Sequence, residues 1–193
     1  IALGQPRASR RTVGGRRTTS ARQQRPPQPP AQHIRPEVRV YCEKLEANDE
    51  TLLEIRQMLY PMCLSEAELI ALSRAVRGNT KLQMFHLTHE RLISDAIWGQ
   101  TFSGPFLTHL LELKLNSNRI GDEGAMAIGN RLASSPPSSL RLLILDHNRV
   151  GNSGAAAIGR ALANNKTVLH SLWLDHNQIG SEGAMGLAKG LES

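Results

Sequence analysis

The sequence predicts an α/β solenoid, in which a curved parallel sheet carries one row of helices on its convex side and a disordered tail precedes the repeats. Two observations support this fold class. Three segments fit the pattern Leu-x-x-Leu-x-Leu-x-x-Asn, and their asparagines, Asn118, Asn148 and Asn177, lie 30 and then 29 residues apart. Each segment is followed by an equally regular one with apolar residues at helical spacing. A fixed period of this length indicates one strand and one helix per repeat.

The first half of each repeat is predicted to be a strand. Its leucines at the fourth and sixth positions of the pattern are two residues apart, so they point to the same face. The asparagine is expected to end the strand in a bend, where its amide bonds backbone groups that no sheet ladder reaches. A weaker fourth copy begins at Leu82 and has Glu90 in the asparagine position. The predicted structural residues are Leu113, Leu115, Asn118, Leu143, Leu145, Asn148, Leu172, Leu174 and Asn177.

The second half of each repeat is predicted to be a helix that packs behind the sheet. Asp122, Asn152 and Ser181 are suitable N-cap residues for the three copies. A Gly-Ala pair follows in each copy and removes side-chain bulk, which predicts close packing of the helix on the sheet.

Residues 37–81 are predicted to be helical and to cap the solenoid. Thr51–Glu54 forms a capping-box pattern ahead of an apolar run, and Ser65–Glu68 forms a second one. The spacing of the second helix predicts that it is the outer helix of a degenerate repeat that precedes residue 82. The first helix is expected to cover the open end of the core, as solenoids require.

The repeat pattern resembles a known family. Copies of 28–30 residues with Asn-x-Ile-Gly-x-x-Gly-Ala resemble the ribonuclease-inhibitor-like subclass of leucine-rich repeats over residues 82–193, about 58 per cent of the chain. Within that subclass the repeat sequences are similar to those of NOD-like receptors and, more distantly, to those of Ran GTPase-activating proteins. The resemblance implies a leucine-rich repeat fold and a binding role, since this scaffold carries many unrelated functions.

The basic charge of the chain belongs to its N-terminus. Residues 1–36 hold eight arginines and no Asp, Glu or Lys, so the other 157 residues carry about −2 of the overall +6. Few residues of this segment are apolar, which predicts disorder with a polyproline II stretch at 26–30. Three roles stay open for it: a solvated extension, an organelle transit peptide, or an arm that contacts nucleic acid or anionic lipid.

Composition otherwise predicts a soluble cytoplasmic protein, with organelle targeting as the alternative if residues 1–36 are a transit peptide. No stretch approaches the ~18 apolar residues of a membrane span. Cys42 and Cys63 lie 21 residues apart, which fits neither a disulfide framework nor a zinc site. Cys63 is expected to be buried packing. The cysteine usage favours a reducing, intracellular setting.

No catalytic motif, cofactor or metal site is predicted, since the phosphate-binding, zinc-protease and nucleophile-elbow motifs are all missing from the sequence. One column of residues suggests a metal or pH-sensing role as a hypothesis. His89, His147 and His176 share the repeat position before the asparagine, with Asp146 and Asp175 beside them. The alternative is that duplication copied these residues along with the repeat.

The concave face of the sheet is the predicted binding surface. Trp173 lies between two core leucines and cannot turn inward without a change of strand register. Beside Ile144 it would form an apolar patch of the kind that dominates protein interfaces. The alternative is that Trp173 covers its neighbours and contacts no partner. The candidate partner-binding residues are His86, Lys114, Leu142, Ile144, Trp173, His147 and His176.

These observations favour a non-enzymatic module that binds a protein partner as a scaffold or sensor. The alternative is a GTPase activator of the Ran type, although no catalytic residue can be transferred. Nucleic-acid binding is expected only through the basic tail, and the oligomeric state is not predicted. At the end of the chain, four leucines are expected to face an uncovered flank that a longer protein or another molecule covers: Leu172, Leu174, Leu187 and Leu191.

Overall fold

A computed structural model describes residues 34–56, 63–104, 107–164 and 168–192. Within these ranges the strands form one five-stranded parallel sheet in chain order. The predicted disordered tail lies outside the described residues, except for its last three positions. The strands are β1 (Glu54–Arg56), β2 (Met84–His86), β3 (Glu112–Lys114), β4 (Leu142–Ile144) and β5 (Ser171–Trp173).

One helix follows each strand, and one further helix precedes the sheet. The neighbouring helices from α2 to α6 pack against one another in sequence, and α1 packs on α2. This arrangement confirms the predicted α/β solenoid. None of the helices in the described ranges is long and apolar enough to cross a membrane. The helices are α1 (Pro36–Glu46), α2 (Glu66–Val76), α3 (Asp95–Phe102), α4 (Asp122–Leu132), α5 (Asn152–Leu162) and α6 (Ser181–Leu191).

The middle residue of every strand points into the core. The parallel register aligns these residues in one column, so each covers the next along the solenoid. Leu113 and Leu143 are fully buried, as are Leu115 and Leu145 just beyond the strands. Leu172, the last member of the column, is only half-buried because no described strand lies beyond β5. The column consists of Ile55, Phe85, Leu113, Leu143 and Leu172.

An asparagine at each bend ties neighbouring repeats together. The side-chain Oδ1 of Asn148 accepts a hydrogen bond from the backbone N–H of Ile120 in the preceding repeat, at 3.0 Å. Its Nδ2 donates to the carbonyl oxygens of Leu115 and Leu145, at 2.8 and 3.0 Å. Asn118 and Asn177 make the equivalent bonds in their repeats. The amide thus satisfies buried backbone groups where the ladder ends.

Glu90 occupies the asparagine position in the second repeat. It can replace the acceptor oxygen of the asparagine amide but not its N–H donors. Its carboxylate accepts from the backbone N–H of Leu64, but it cannot donate to carbonyl groups when ionised. Burial raises the pKa of the Glu90 carboxyl, because the charged form loses its hydration. The substitution therefore places a destabilised charge at the N-terminal end of the ladder.

Two of the three predicted N-cap residues, Asp122 and Asn152, act on the next helix instead of their own, whereas Ser181 is the first residue of α6. Gly121, Gly151 and Gly180 occupy the N-cap positions, without side-chain caps of their own. The carboxylate or amide oxygen of the preceding repeat accepts from the first N–H groups of each helix, which satisfies donors that a helix start leaves unpaired. The bonds run from Gly121 and Gly124 to Asp95, from Gly151 and Gly154 to Asp122, and from Gly180 and Gly183 to Asn152, at 2.7–3.2 Å.

The conserved spacing of the Gly-Ala pair has the same cause. A Cβ built on Gly124 would lie 3.0 Å from the Asp95 Oδ1 and 2.8 Å from the Ile120 Cγ2. A Cβ on Gly154 would lie 2.7 Å from the Ala125 Cβ and 2.8 Å from the Asp122 Oδ1. Glycine therefore makes room for the preceding helix and for the cap that this helix supplies.

The N-terminal part contains one more strand than predicted. The capping-box pattern at Thr51 does not start a helix, because Glu54–Arg56 is strand β1 and pairs with β2. Ser65 does begin α2 with a complete capping box to Glu68. Helix α2 follows β1 and precedes β2, the order expected for the outer helix of a degenerate repeat. Helix α1 covers it, and begins at Pro36, before the predicted start of the cap.

A buried ion pair fastens α1 to α2. The Arg35 guanidinium donates to both carboxylate oxygens of Glu68, at 2.7 and 2.6 Å, and to the carbonyl of Cys63. Glu68 is almost completely buried, whereas Arg35 keeps about a quarter of its side chain exposed. Burial alone would raise the pKa of Glu68, but the bonds from Arg35 and Ser65 outweigh it and lower the pKa to about 2.

Asn148→Ala should destabilise the fold by roughly 1–3 kcal/mol, because it leaves the buried N–H of Ile120 without a partner and removes one of the two amide donors of the Leu115 and Leu145 carbonyls. Urea denaturation followed by circular dichroism measures the free energy of unfolding. Asn130→Ala is the matched control, since Asn130 is exposed on α4 and its replacement should change stability little. Equal effects of the two variants would contradict the role of the amide ladder.

Arg35→Ala should also destabilise the protein by roughly 2–4 kcal/mol at pH 7, because it leaves Glu68 buried and unpaired. The lowered pKa of Glu68 stabilises the fold above pH 4.5, and this contribution is lost as the pH falls towards 2. The difference between wild type and variant should therefore shrink over that window. Arg39→Gln, an exposed position on α1, serves as the control. A difference that is constant with pH would contradict this account.

Candidate functional site

The open face of the sheet, which points away from the helices, presents two columns of side chains. The first residue of each strand forms one column and the third residue forms the other, since alternate residues share a face. The register aligns the second column as Arg56, His86, Lys114, Ile144 and Trp173. The first column is Glu54, Met84, Glu112, Leu142 and Ser171.

The N-terminal half of this face is charged and internally paired. Glu112 lies 3.0 Å from the Lys114 ammonium and 3.2 Å from the His86 Nε2. Contrary to expectation, His86 is buried with 9 per cent of its surface exposed, because these neighbours cover its ring. Burial lowers the pKa of His86, and the charges of Lys114 and Arg56 lower it further, while Glu112 opposes them. The pairing leaves His86 little surface for a partner.

The C-terminal half of the open face is apolar and accessible. Trp173 is 54 per cent exposed, as its position between Leu172 and Leu174 requires. Ile144 and Leu142 are half-buried on the adjacent strand, and Ile144 is the register partner of Trp173. We call these three residues the apolar patch. A large aromatic side chain is thus held on a strand with its face in water.

The backbone conformation of the bends explains why histidine recurs at the position before the asparagine. His89, Ser117, His147 and His176 all have positive φ, between 54° and 62°. Histidine is one of the few residues enriched in this left-handed conformation. The bend after each strand therefore accounts for the repeated position without a shared ligand.

Two members of this column nevertheless contact each other. The rings of His147 and His176 stack with centroids 4.2 Å apart. Across the described residues, no group of three or more His, Cys, Asp or Glu side chains is arranged to hold a metal ion. The metal hypothesis thus has no ligand set in that part of the chain, and pH sensing stays a hypothesis.

Comparison with protein-family models identifies the repeats. The model described as "Leucine Rich repeat" matches residues 106–129, 137–159 and 165–188, which carry β3 to β5 and most of α4 to α6. This is a leucine-rich repeat protein. The match does not distinguish the ribonuclease-inhibitor-like, NOD-like receptor or Ran activator subclasses.

One solved structure supports the same fold for this leucine-rich repeat protein. The tropomodulin C-terminal domain of Caenorhabditis elegans is 19 per cent identical, with a TM-score of 0.60 over 81 per cent of this chain and 92 per cent of that one. A leiomodin-1 structure titled actin-binding site 2 is 23 per cent identical, with a TM-score of 0.49 over 79 and 71 per cent. No curated protein sequence matches significantly. The tropomodulin likeness establishes the fold and leaves the partner open.

The structure also shows a groove that sequence analysis missed. Arg91, Arg119 and Arg149 line a cavity of about 370 Å³ at the bends that follow β2, β3 and β4. The available signal was that each arginine directly follows the asparagine position of its repeat. We call this cavity the arginine groove.

The last described repeat of this leucine-rich repeat protein exposes part of its core. Six leucines line an open cavity of about 390 Å³ beside β5 and α6, and Leu191 is 74 per cent exposed. This agrees with the uncovered flank expected from the sequence. The leucines are Leu162, Leu169, Leu172, Leu174, Leu187 and Leu191.

The cysteines make no disulfide. Cys63 is half-buried, as is Cys42, and its Sγ lies 3.1 Å from the His89 carbonyl oxygen. Burial raises the pKa of the Cys42 thiol to about 11, and the nearby Glu46 and Glu43 act in the same direction. A thiol with such a pKa stays protonated at neutral pH and is a poor nucleophile.

Lys114→Gln should raise the pKa of His86, because it removes a nearby positive charge and frees the Glu112 carboxylate to attract the imidazolium. NMR titration of the His86 ring protons between pH 4 and 8 measures the change. Lys81→Gln is the control, since Lys81 pairs with Glu50. An unchanged or lower His86 pKa in the Lys114 variant would contradict the electrostatic account.

Proposed function

We propose that this leucine-rich repeat protein is a non-enzymatic interaction module that binds a protein partner on the open face of its sheet. The observation that carries the proposal is the exposed Trp173 within the apolar patch. Leu142 and Ile144 extend the patch, and Lys114 borders it on the next strand. An accessible apolar centre with a polar border is the usual composition of a protein interface.

The patch has little freedom to bury itself. Trp173 is the last residue of β5, and its backbone carbonyl accepts from the Leu145 N–H at 2.9 Å. A shift of one residue that turned the indole inward would expel Leu172 and Leu174 from the core. Because the strand backbone already holds the indole on the open face, binding requires little ordering of the backbone, and this favours affinity.

The remaining candidate residues are proposed as a supporting border. Lys114 is half-buried beside the patch, whereas His147 and His176 are exposed at the bends beyond β4 and β5. His86 is proposed to orient Glu112 rather than to contact the partner, because it is buried. Both cysteines are free thiols, which supports a reducing compartment such as the cytoplasm for this interaction.

Trp173→Ala should weaken partner binding by about 2 kcal/mol or more, as expected for an interface hot spot. The full chain, tagged and immobilised, would capture partners from a lysate for quantitative mass spectrometry. The affinity of each recovered partner would then be measured by calorimetry with wild type and variant. We expect one set of proteins to be lost with the variant.

Met185→Ala is the matched control for this experiment. Met185 is 57 per cent exposed but lies on α6, away from the open face, so its replacement should retain every partner. Thermal unfolding checks that both variants fold. Partners that bind Trp173→Ala as tightly as wild type would remove the apolar patch from the interface.

A further inference from the structure

Three arginines of consecutive repeats line the arginine groove. Arg91, Arg119 and Arg149 occupy equivalent positions in three consecutive repeats, and all are exposed. Adjacent strands of a parallel sheet are about 4.8 Å apart, so the three bends span about 10 Å. The Ser117 hydroxyl and the His147 ring lie in the same cavity.

These arginines have no carboxylate partner in the described part of the chain. Arg35 and Arg56 each form an ion pair there, but none of the three groove arginines does. Like charges at this separation repel each other, and an acidic ligand would relieve the repulsion. Residues 37–193 carry a slight negative charge overall. The positive charge of the groove is therefore a local feature and does not reflect the net charge of this part of the chain.

The fold does not require arginine at this position. Gln178 occupies it in the last described repeat, which forms the same bend with the same asparagine bonds. The repeat of Arg91 has lost the asparagine itself, to Glu90, but keeps the arginine. Simple copying of a repeat therefore explains this column less well than a requirement for its charge.

The groove is also rigid. The side chains of Asn118 and Asn148 line it, but their amides are fully engaged with backbone groups. They fix the bends that carry the arginines and leave the guanidiniums as its principal donors. Each guanidinium presents a planar fork that matches a carboxylate.

We infer that the arginine groove binds an acidic segment of a protein partner, in extended conformation, through at least two of its carboxylates. Side chains two residues apart in an extended peptide are about 6.8 Å apart, which fits within the length of the groove. The groove lies beyond the strand ends, at the border of the open face. The groove shares His147 with the proposed border of the apolar patch, but its arginines lie outside that patch and the inference does not depend on the function proposed for it.

Chemical protection of the full chain tests the site directly. Phenylglyoxal modifies accessible arginines, and mass spectrometry reports each position separately, including those of the N-terminal tail. A hexaglutamate peptide should protect Arg91, Arg119 and Arg149, whereas hexaglutamine should not. Arg141 and Arg160, exposed elsewhere, should react equally with either peptide. Equal protection by inorganic phosphate would indicate a small-anion site and overturn the peptide proposal.

Binding by charge variants provides the second test. Fluorescence anisotropy of labelled hexaglutamate should show at least about tenfold weaker binding to the Arg91→Gln/Arg119→Gln/Arg149→Gln variant, since the loss of one charge-assisted hydrogen bond corresponds to roughly that factor. Arg74→Gln/Arg141→Gln/Arg160→Gln removes the same charge from other surfaces and should bind as wild type. Equal weakening in both would overturn the proposal. If the first variant fails to fold, Arg119→Gln alone should still weaken binding, and an unchanged affinity would overturn it. Trp173→Ala should leave hexaglutamate binding unchanged.

Discussion

The solenoid depends on hydrogen bonds from side chains to the backbone of the neighbouring repeat. Each strand has only three residues, so the sheet ladder alone satisfies few backbone groups. The asparagine amides bond the backbone N–H and carbonyl groups of the bends. Asp95, Asp122 and Asn152 accept hydrogen bonds from the first backbone N–H groups of the helices. Both sets of bonds cross from one repeat to the next. These bonds therefore define how the repeats stack and how the apolar column of the core comes together. Burial of that column supplies the main driving force for folding.

This stacking also determines the chemistry of the open face. Because the register is fixed, the residues at the first and third strand positions form straight columns, and their identity changes along the solenoid. Glu112 and Lys114 neutralise each other beside the His86 ring in the N-terminal half, whereas Ile144 and Trp173 leave the other half apolar. The exposed indole is thus a consequence of the same register that buries Leu172 and Leu174. The same alternation of residues therefore determines both the packing of the core and the composition of the open face.

The leucine and asparagine spacing was sufficient to predict the repeats from β3 onward, because each repeat carries its own strand and bend residues. Strand β1 was missed since Thr51–Glu54 matches a local helix signal, while Glu54–Arg56 becomes a strand only by pairing with β2. The caps were assigned to the wrong helices because a cap that acts between repeats has no signature within one of them. The exposure of Trp173 followed from alternation alone. The burial of His86 depends on the neighbouring strand, which the alternation of one strand does not describe.

Glu90 shows how the ladder ends where the repeats become irregular. A carboxylate can accept a hydrogen bond from Leu64 but cannot replace the donors of an asparagine, and burial makes its charge unfavourable. The positive charge of Arg35 offsets part of this cost, since it lowers the pKa of Glu90 while it binds Glu68. The N-terminal helix is therefore joined to the solenoid partly through an ion pair, whereas the bends of the later repeats are joined through neutral asparagine amides. Helix α1 covers α2, and Arg35 at its start offsets part of the cost of burying the Glu90 carboxylate.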